Sequence, residues 1–144
     1  MGLSQLFQEP EKKASLVADL ISLMNEQVSG KGGIGGIGLK AAYSAVKGVK
    51  PGYIQGAIER LIPEAFDALD PIWDEGVQKG EPVEYLSQNS SRSADAVLSV
   101  TDARIEKTDN GVVRGAYSKL RKSIKGDVEG AIPDLAKIIG KYAS

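Results

Sequence analysis

One glycine pattern in this 144-residue chain has the spacing of a nucleotide-binding loop. The run from Gly33 to Gly38 reads G-x-G-x-x-G, which binds a pyrophosphate only where a strand precedes it and a helix follows. The residues before it have helical spacing instead. We therefore interpret the stretch 30–38 as a flexible interhelical loop, in which Ile34 and Ile37 reach into the core or a partner.

A second pattern places a hydroxyl and an amine on one helix face. Ser44 and Lys47 have the spacing found in Ser/Lys acyl enzymes. That chemistry also needs oxyanion donors and a lysine of lowered pKa, and the surrounding residues predict neither. We interpret the pair as part of a solvated surface.

Composition excludes most other catalytic chemistry, because the chain contains neither cysteine nor histidine. Disulfides, zinc and iron–sulfur sites, thiol and imidazole nucleophiles and Ser-His-Asp triads are all ruled out. The acids between positions 67 and 75 resemble a metal cluster superficially, but the Glu-x-x-His pattern of di-metal bundles is impossible here. We predict no catalytic residue, no metal and no cofactor, and therefore no enzyme.

Charge is distributed unevenly, although the net charge of the whole chain is only −1. No acid lies between Glu26 and Glu59 or between Asp109 and Asp127, whereas the segment 59–84 has eight acids and two basic residues. Side by side, the two acid-free segments would form a paired cationic surface for phosphate, anionic lipid or nucleic acid. Its candidate anion-binding residues are Lys40, Lys47, Arg114 and Arg121. A solvated helix face is the competing interpretation.

Apolar residues recur at helical intervals through most of the chain, and no segment has the alternation of a strand. We predict an all-α, single-domain bundle of about six helices spanning 1–144. The first helix is expected between Pro10 and Gly30, because proline suits a first helical turn and glycine a C-cap.

Prolines are expected to limit the later helices. Pro63 and Pro71 fall within the periodic stretch of the third helix, where they are predicted to cause kinks or short breaks. The fifth helix is predicted to carry Val113 to Ile124 and the last one Val128 to Tyr142, and Pro133 is predicted to begin a new helical segment within that last stretch.

An internal repeat is visible when the chain is aligned with itself. Residues 39–61 match residues 113–135 at an offset of 74, with eight identities in 23 positions, and residues 20–23 match 97–100 at an offset of 77. We predict a duplicated three-helix unit with pseudo-two-fold symmetry. Its halves are about 11–80 and about 92–144.

Equivalent residues of the repeat suggest two structural roles. Gly56 and Gly130 occupy corresponding helix interiors, where glycine costs about 1 kcal/mol relative to alanine, so a close helix–helix approach is predicted at both. Tyr43 and Tyr117 also correspond, and their spacing predicts rings that face the core with hydroxyls near its rim.

Three motifs carry a resemblance to a known family: VKPGYI at 49–54, LDPIW at 69–73 and VTDAR at 100–104. Through them the chain resembles a family of small uncharacterised bacterial all-helical proteins, a domain of unknown function, from about Leu16 to the C-terminus. The resemblance implies one domain in a bacterial cytoplasm. It implies no activity, substrate or site residue.

These observations favour a non-enzymatic interaction or structural protein that has a protein partner or self-associates. One alternative is an anion-binding module that uses the paired basic helices, and another is a small-ligand carrier with a site between the two halves. Scarce aromatic residues argue against nucleic acid, and a peripheral membrane contact is the weaker option.

The expected cellular location follows from two features that the sequence lacks, a membrane-spanning segment and a signal peptide. No apolar run is long enough to predict a membrane-spanning helix. The stretch 1–8 has no basic segment followed by an apolar one, so no signal peptide is predicted and a cytoplasmic protein is expected.

Overall fold

The computed structural model describes residue 3 and residues 9–143 of the chain, apart from the side chains of residues 34 and 122. This part forms six α-helices and no strand, which confirms the predicted all-α class. The helices are α1 (Pro10–Gly30), α2 (Gly33–Lys47), α3 (Tyr53–Gln78), α4 (Pro82–Gln88), α5 (Ser90–Lys107) and α6 (Gly111–Ala143). The stretch 1–8, for which no signal peptide is predicted, lies outside the described residues except for Leu3.

The hydrophobic core is organised around α3. Its buried side chains recur every three or four residues, the spacing that keeps them on one face of a helix. They are Ile58, Ile62, Ala65, Phe66, Leu69, Ile72 and Trp73. This stripe belongs to one cluster with Leu16 of α1, Leu86 of α4 and Ile139 of α6. Because four helices contribute to one cluster, the chain has a shared core rather than two separate ones.

The prolines inside two helices do not interrupt them, so the predicted breaks are wrong, while kinks at Pro63 and Pro71 stay a prediction. α3 continues through Pro63 and Pro71, and α6 continues through Pro133. A proline ring displaces the carbonyl group four residues earlier, but Pro71 and Pro133 are exposed, so solvent can hydrogen-bond to that group. The predicted boundary between the fifth and last helices is therefore wrong, and a single helix of 33 residues replaces them.

The glycine-rich stretch 30–38 is mostly helical, so its interpretation as a loop is also wrong. Only residues 31 and 32 connect α1 to α2. Gly33 has a φ of 72°, a left-handed conformation that glycine adopts without steric cost. A Cβ atom on Gly36 would overlap the Lys31 carbonyl group, so the first turn of α2 requires glycine there.

The two halves of the repeat differ in their number of helices. Residues 39–61 run from α2 into α3 across a break, whereas residues 113–135 lie inside the continuous helix α6. The predicted three-helix unit is therefore present once. The pseudo-two-fold symmetry stays a prediction.

Close helix contacts occur at a glycine outside the repeat. A Cβ atom on Gly130 would meet nothing within 4 Å, and one on Gly56 would meet only an arginine side chain of its own helix, so the predicted close approach at this pair is wrong. A Cβ atom on Gly76 would lie 2.7 Å from the Pro82 Cα and 2.8 Å from the Tyr85 Cβ. Glycine at position 76 is what lets α4 pack on α3.

Substitution of these glycines should have opposite effects on stability. Gly76→Ala is expected to lower the free energy of unfolding by about 1–3 kcal/mol, because the added methyl group overpacks the α3–α4 contact. Gly130→Ala should raise it by up to about 1 kcal/mol, because alanine is the better helix former and its methyl group has room. Urea denaturation measures both changes, and changes of the same sign would contradict this account.

Candidate interaction surface

α2 packs against its neighbours through one side. Leu39 is buried, and the half-buried Tyr43 donates a hydrogen bond of 2.5 Å to the Asn25 Oδ1 of α1. Just before α2, the Lys31 Nζ lies 2.7 Å from a carboxylate oxygen of Asp127 in α6. These contacts hold the helix in place although four of its first six residues are glycine.

The other side of α2 is exposed and carries no acid. Ile37, Ala41 and Ala45 follow at four-residue intervals, which places them in one row along the helix, and all three are exposed. Lys40 and Lys47, seven residues apart, are also exposed and lie near one another around the helix, at one edge of its exposed side. These five residues form the α2 face.

Ile37 is the most exposed large hydrophobic residue that the structure describes, at 71%. Ile37 therefore does not reach into the core, and that part of the prediction is wrong. The Ile34 side chain lies outside the described part of the chain. Ala41 and Ala45 were not among the candidate residues, because the loop predicted over 30–38 left Ile37, the large side chain of the row, outside any helix. Extending its 3.6-residue period backwards to residue 33 finds the whole row.

The two arginines of the predicted anion site are engaged within the α5–α6 pair. The Arg121 guanidinium donates two hydrogen bonds, of 2.8 and 3.0 Å, to the Asp102 carboxylate of α5. The Arg114 guanidinium donates to the carbonyl oxygens of Glu106 and Thr108, where α5 ends. Both side chains anchor the start of α6 to α5.

The two lysines of the predicted site are free. Lys40 and Lys47 are exposed on α2, and neither has a hydrogen-bond or ion-pair partner among the residues that the structure describes. α2 and α6 do pack together, as the paired surface requires. Of the four predicted anion-binding residues, only the two lysines are therefore available to a ligand.

The freedom of Lys47 has a cause in the sequence. Tyr43 donates to Asn25 of the preceding helix, and Tyr117 donates to Asp102 in the same way. Asn25 and Asp102 are 77 positions apart, which is the offset of the upstream match in the repeat. The second half has a carboxylate that binds both the tyrosine and the basic residue, whereas the amide in the first half leaves Lys47 unpaired.

Restoring the carboxylate in the first half should recruit Lys47. Asn25→Asp is expected to keep the hydrogen bond from Tyr43 and to add an ion pair, which raises the free energy of unfolding by up to about 1 kcal/mol at low salt. The gain should decrease at 1 M salt. A double-mutant cycle with Lys47→Met isolates the pair, and an equal effect of Asn25→Asp in both backgrounds would refute it.

Within the described part of the chain, carboxylates bound by both a tyrosine and a cation occur three times. Each cluster joins residues of different helices and lies at the edge of the core. The clusters are Asp19 with Tyr142 and Lys141, Glu75 with Tyr85 and Arg92, and Asp102 with Tyr117 and Arg121. Sequence reasoning identified only Tyr117 and Arg121, because the partners lie 10 to 123 positions apart and only the repeat marked a member.

These clusters move pKa values away from neutrality. Two hydrogen bonds from Arg92 and one from Tyr85 lower the pKa of Glu75 to about 2. Burial, with a smaller effect of the bond to Asp102, raises the pKa of Tyr117 to about 12. At pH 7 the carboxyl group is therefore charged and the phenol is neutral, so neither group exchanges a proton readily.

The raised pKa of Tyr117 predicts an alkaline loss of stability. Because the folded value lies above the unfolded value of about 10, the contribution of this tyrosine is complete below pH 10 and is lost as the pH rises to about 12. At pH 8 the wild type should exceed Tyr117→Phe by about 1 kcal/mol in free energy of unfolding. Denaturation at several pH values should show this difference shrinking above pH 10, and parallel curves would contradict the assignment.

Two shallow cavities lie beside α1. The larger, of about 370 Å³, is lined by Glu26, Gly30, Lys31, Gly126, Asp127 and Gly130, and it lies between the two halves of the chain. The smaller, of about 280 Å³, separates α1 from α3. At the larger cavity, Lys31 and Asp127 form an ion pair with each other. Within residues 9–143, the acidic side chains form no group of three that could hold a metal ion.

A family model covers nearly the whole chain: residues 3–143 match the family of unknown function DUF6918. The chain belongs to the DUF6918 family. Membership confirms the resemblance to an all-helical family of unknown function, while the bacterial origin stays a prediction. No curated protein and no solved structure matches the chain. Among the described helices of this family member, none is both long and apolar enough to cross a membrane.

Proposed function

We propose that this protein is a non-enzymatic interaction protein that binds its partner through the α2 face. The observation that carries the proposal is the combination of an exposed Ile37 with Lys40 and Lys47, neither of which has a partner among residues 9–143. A single exposed hydrophobic residue is ordinary on a protein surface. Here it belongs to a continuous row on the most apolar of the five longer helices, and an apolar row edged with charge is typical of contact surfaces.

Two features support a binding role over catalysis. The carboxyl groups with shifted pKa values are shifted down, and the tyrosines are shifted up, so none is tuned to exchange protons near pH 7. Arg114 and Arg121, the arginines of the predicted anion site, are bonded to other residues of the chain. We propose the cytoplasm of a bacterium as the setting, which the family resemblance implies.

A small-ligand carrier is the second candidate, because the cavity of about 370 Å³ lies between the halves and is within the size range of ligand sites. The interaction role is better supported. Lys31 and Asp127 of that cavity form an ion pair with each other, whereas Lys40 and Lys47 of the α2 face have no partner among the residues that the structure describes.

Photo-crosslinking from the α2 face tests the proposed function. Ile37 is replaced by p-benzoylphenylalanine in cells that produce the protein, and Val77, an apolar residue of α3 that is 51% exposed, is replaced as the matched control. Irradiation should give adducts of increased mass from position 37 in several-fold higher yield than from position 77. Equal yields, or no adduct from position 37, would show that the α2 face has no partner.

A further inference from the structure

We propose that the partner of the α2 face is an anionic lipid surface, against which α2 lies flat with its apolar row toward the lipid. This inference rests on the proposed function and specifies the class of partner. It is carried by charge, by the shape of the exposed row and by the residue types that the row lacks.

The charge of this region suits an anionic surface. No acid occurs from residue 27 to residue 58, and α2 lies entirely within this segment. Lys40, Lys47 and Lys50 are exposed and form no ion pair within the described residues, so their charge is available outside the molecule. Each lysine near an anionic leaflet strengthens binding roughly fivefold.

The geometry of the row suits the membrane interface. α2 has 15 residues and is about 22 Å long, so the whole helix can contact a flat surface at once. Ile37 projects from the row beside the small side chains of Ala41 and Ala45. Interfacial helices bury such an apolar face at the headgroup level while lysines along the edge reach the phosphates.

The residue types of the α2 face argue against other partners. Specific protein interfaces concentrate their binding energy in tryptophan, tyrosine and arginine, and the α2 face contains none of them. Tyr43, the one aromatic residue of α2, points inward and bonds to Asn25. A second copy is disfavoured as well, because an antiparallel two-fold pairing of this face would bring Lys40 of one copy close to Lys47 of the other.

Vesicle flotation tests the lipid partner. The full-length protein is mixed at low salt with vesicles of phosphatidylcholine alone, or with vesicles of equal parts phosphatidylcholine and phosphatidylglycerol. We expect binding to the anionic vesicles and little binding to the neutral ones, with a marked decrease at 0.5 M salt. Binding to neither kind of vesicle, or equally to both, would overturn the lipid assignment.

Matched variants locate the surface. Lys40→Gln with Lys47→Gln removes two charges and should weaken vesicle binding roughly 25-fold, while Ile37→Ser should weaken it roughly tenfold. Lys107→Gln with Lys137→Gln removes two exposed charges from α5 and α6 and should change binding less than about twofold. Equal losses in both double variants would mean that net charge alone attracts the protein, which contradicts a specific α2 face. Circular dichroism checks that every variant is folded.

Two further outcomes separate this inference from the proposed function. Asn25→Asp should weaken vesicle binding roughly fivefold, because it pairs Lys47 internally; unchanged binding would count against Lys47 as a lipid contact. Polyglutamate that binds as tightly as the anionic vesicles would indicate an acidic protein surface and overturn the lipid assignment. If the protein does not bind vesicles but position 37 still forms crosslinks in cells, the proposed function stands and only the lipid partner is wrong.

Discussion

A tyrosine hydroxyl that donates to a side chain of another helix is the contact on which the arrangement of this bundle depends. Three of the five consecutive helix pairs have one: α2 bonds to α1 through Tyr43, α4 to α3 through Tyr85, and α6 to α5 through Tyr117. Tyr142 closes the bundle by joining the end of α6 to α1. The rings of Tyr85 and Tyr142 pack against the hydrophobic core while their hydroxyls meet acceptors near solvent, so each of these two tyrosines fixes both the spacing and the register of two helices. A chain without cysteine or histidine thereby gains directional links that a purely apolar core does not provide.

The same contact explains how the two halves of the chain differ. In α5 and α6 the acceptor is a carboxylate, which attracts a cation, and the basic residue one turn beyond the tyrosine becomes part of the scaffold. In α1 and α2 the acceptor is the neutral amide of Asn25, and the basic residue stays outside. Because residue 102 is Asp, the positive charge of Arg121 is bound within the bundle; because residue 25 is Asn, the charge of Lys47 is available to a partner. That difference, more than the number of charges in either segment, distinguishes the α2 face from the start of α6.

The sequence was a good guide to helices with regular apolar spacing and a poor guide to their ends. α1 has the predicted bounds, because Pro10 and Gly30 suit the two ends of a helix for independent physical reasons. α6 was predicted as two helices, because glycine and proline disfavour helix in isolation, but packing against four other helices outweighs those local costs. Only part of the α2 face could be predicted from the sequence. Its lysines are conspicuous because no acid lies near them in the chain. The row from Ile37 to Ala45 was missed because 30–38 was predicted to be a loop. Lys47 is unpaired because residue 25, 22 positions earlier in the chain, is an asparagine rather than an aspartate. Spacing alone does not predict that α1 and α2 bring this part of the chain together.

The glycines of α2 also have a consequence for motion. Four of them in its first six residues make this helix intrinsically the least stable of the longer ones, since each weakens a helix by about 1 kcal/mol relative to alanine. Its anchors are few: the buried Leu39, the bond of Tyr43 and the ion pair of Lys31. Local unfolding should therefore begin at α2, and its amide protons should exchange with solvent sooner than those of α3, whose stripe of buried side chains opens only when the core does. The element that carries the exposed row can thus detach and reseat while the rest of the bundle stays folded.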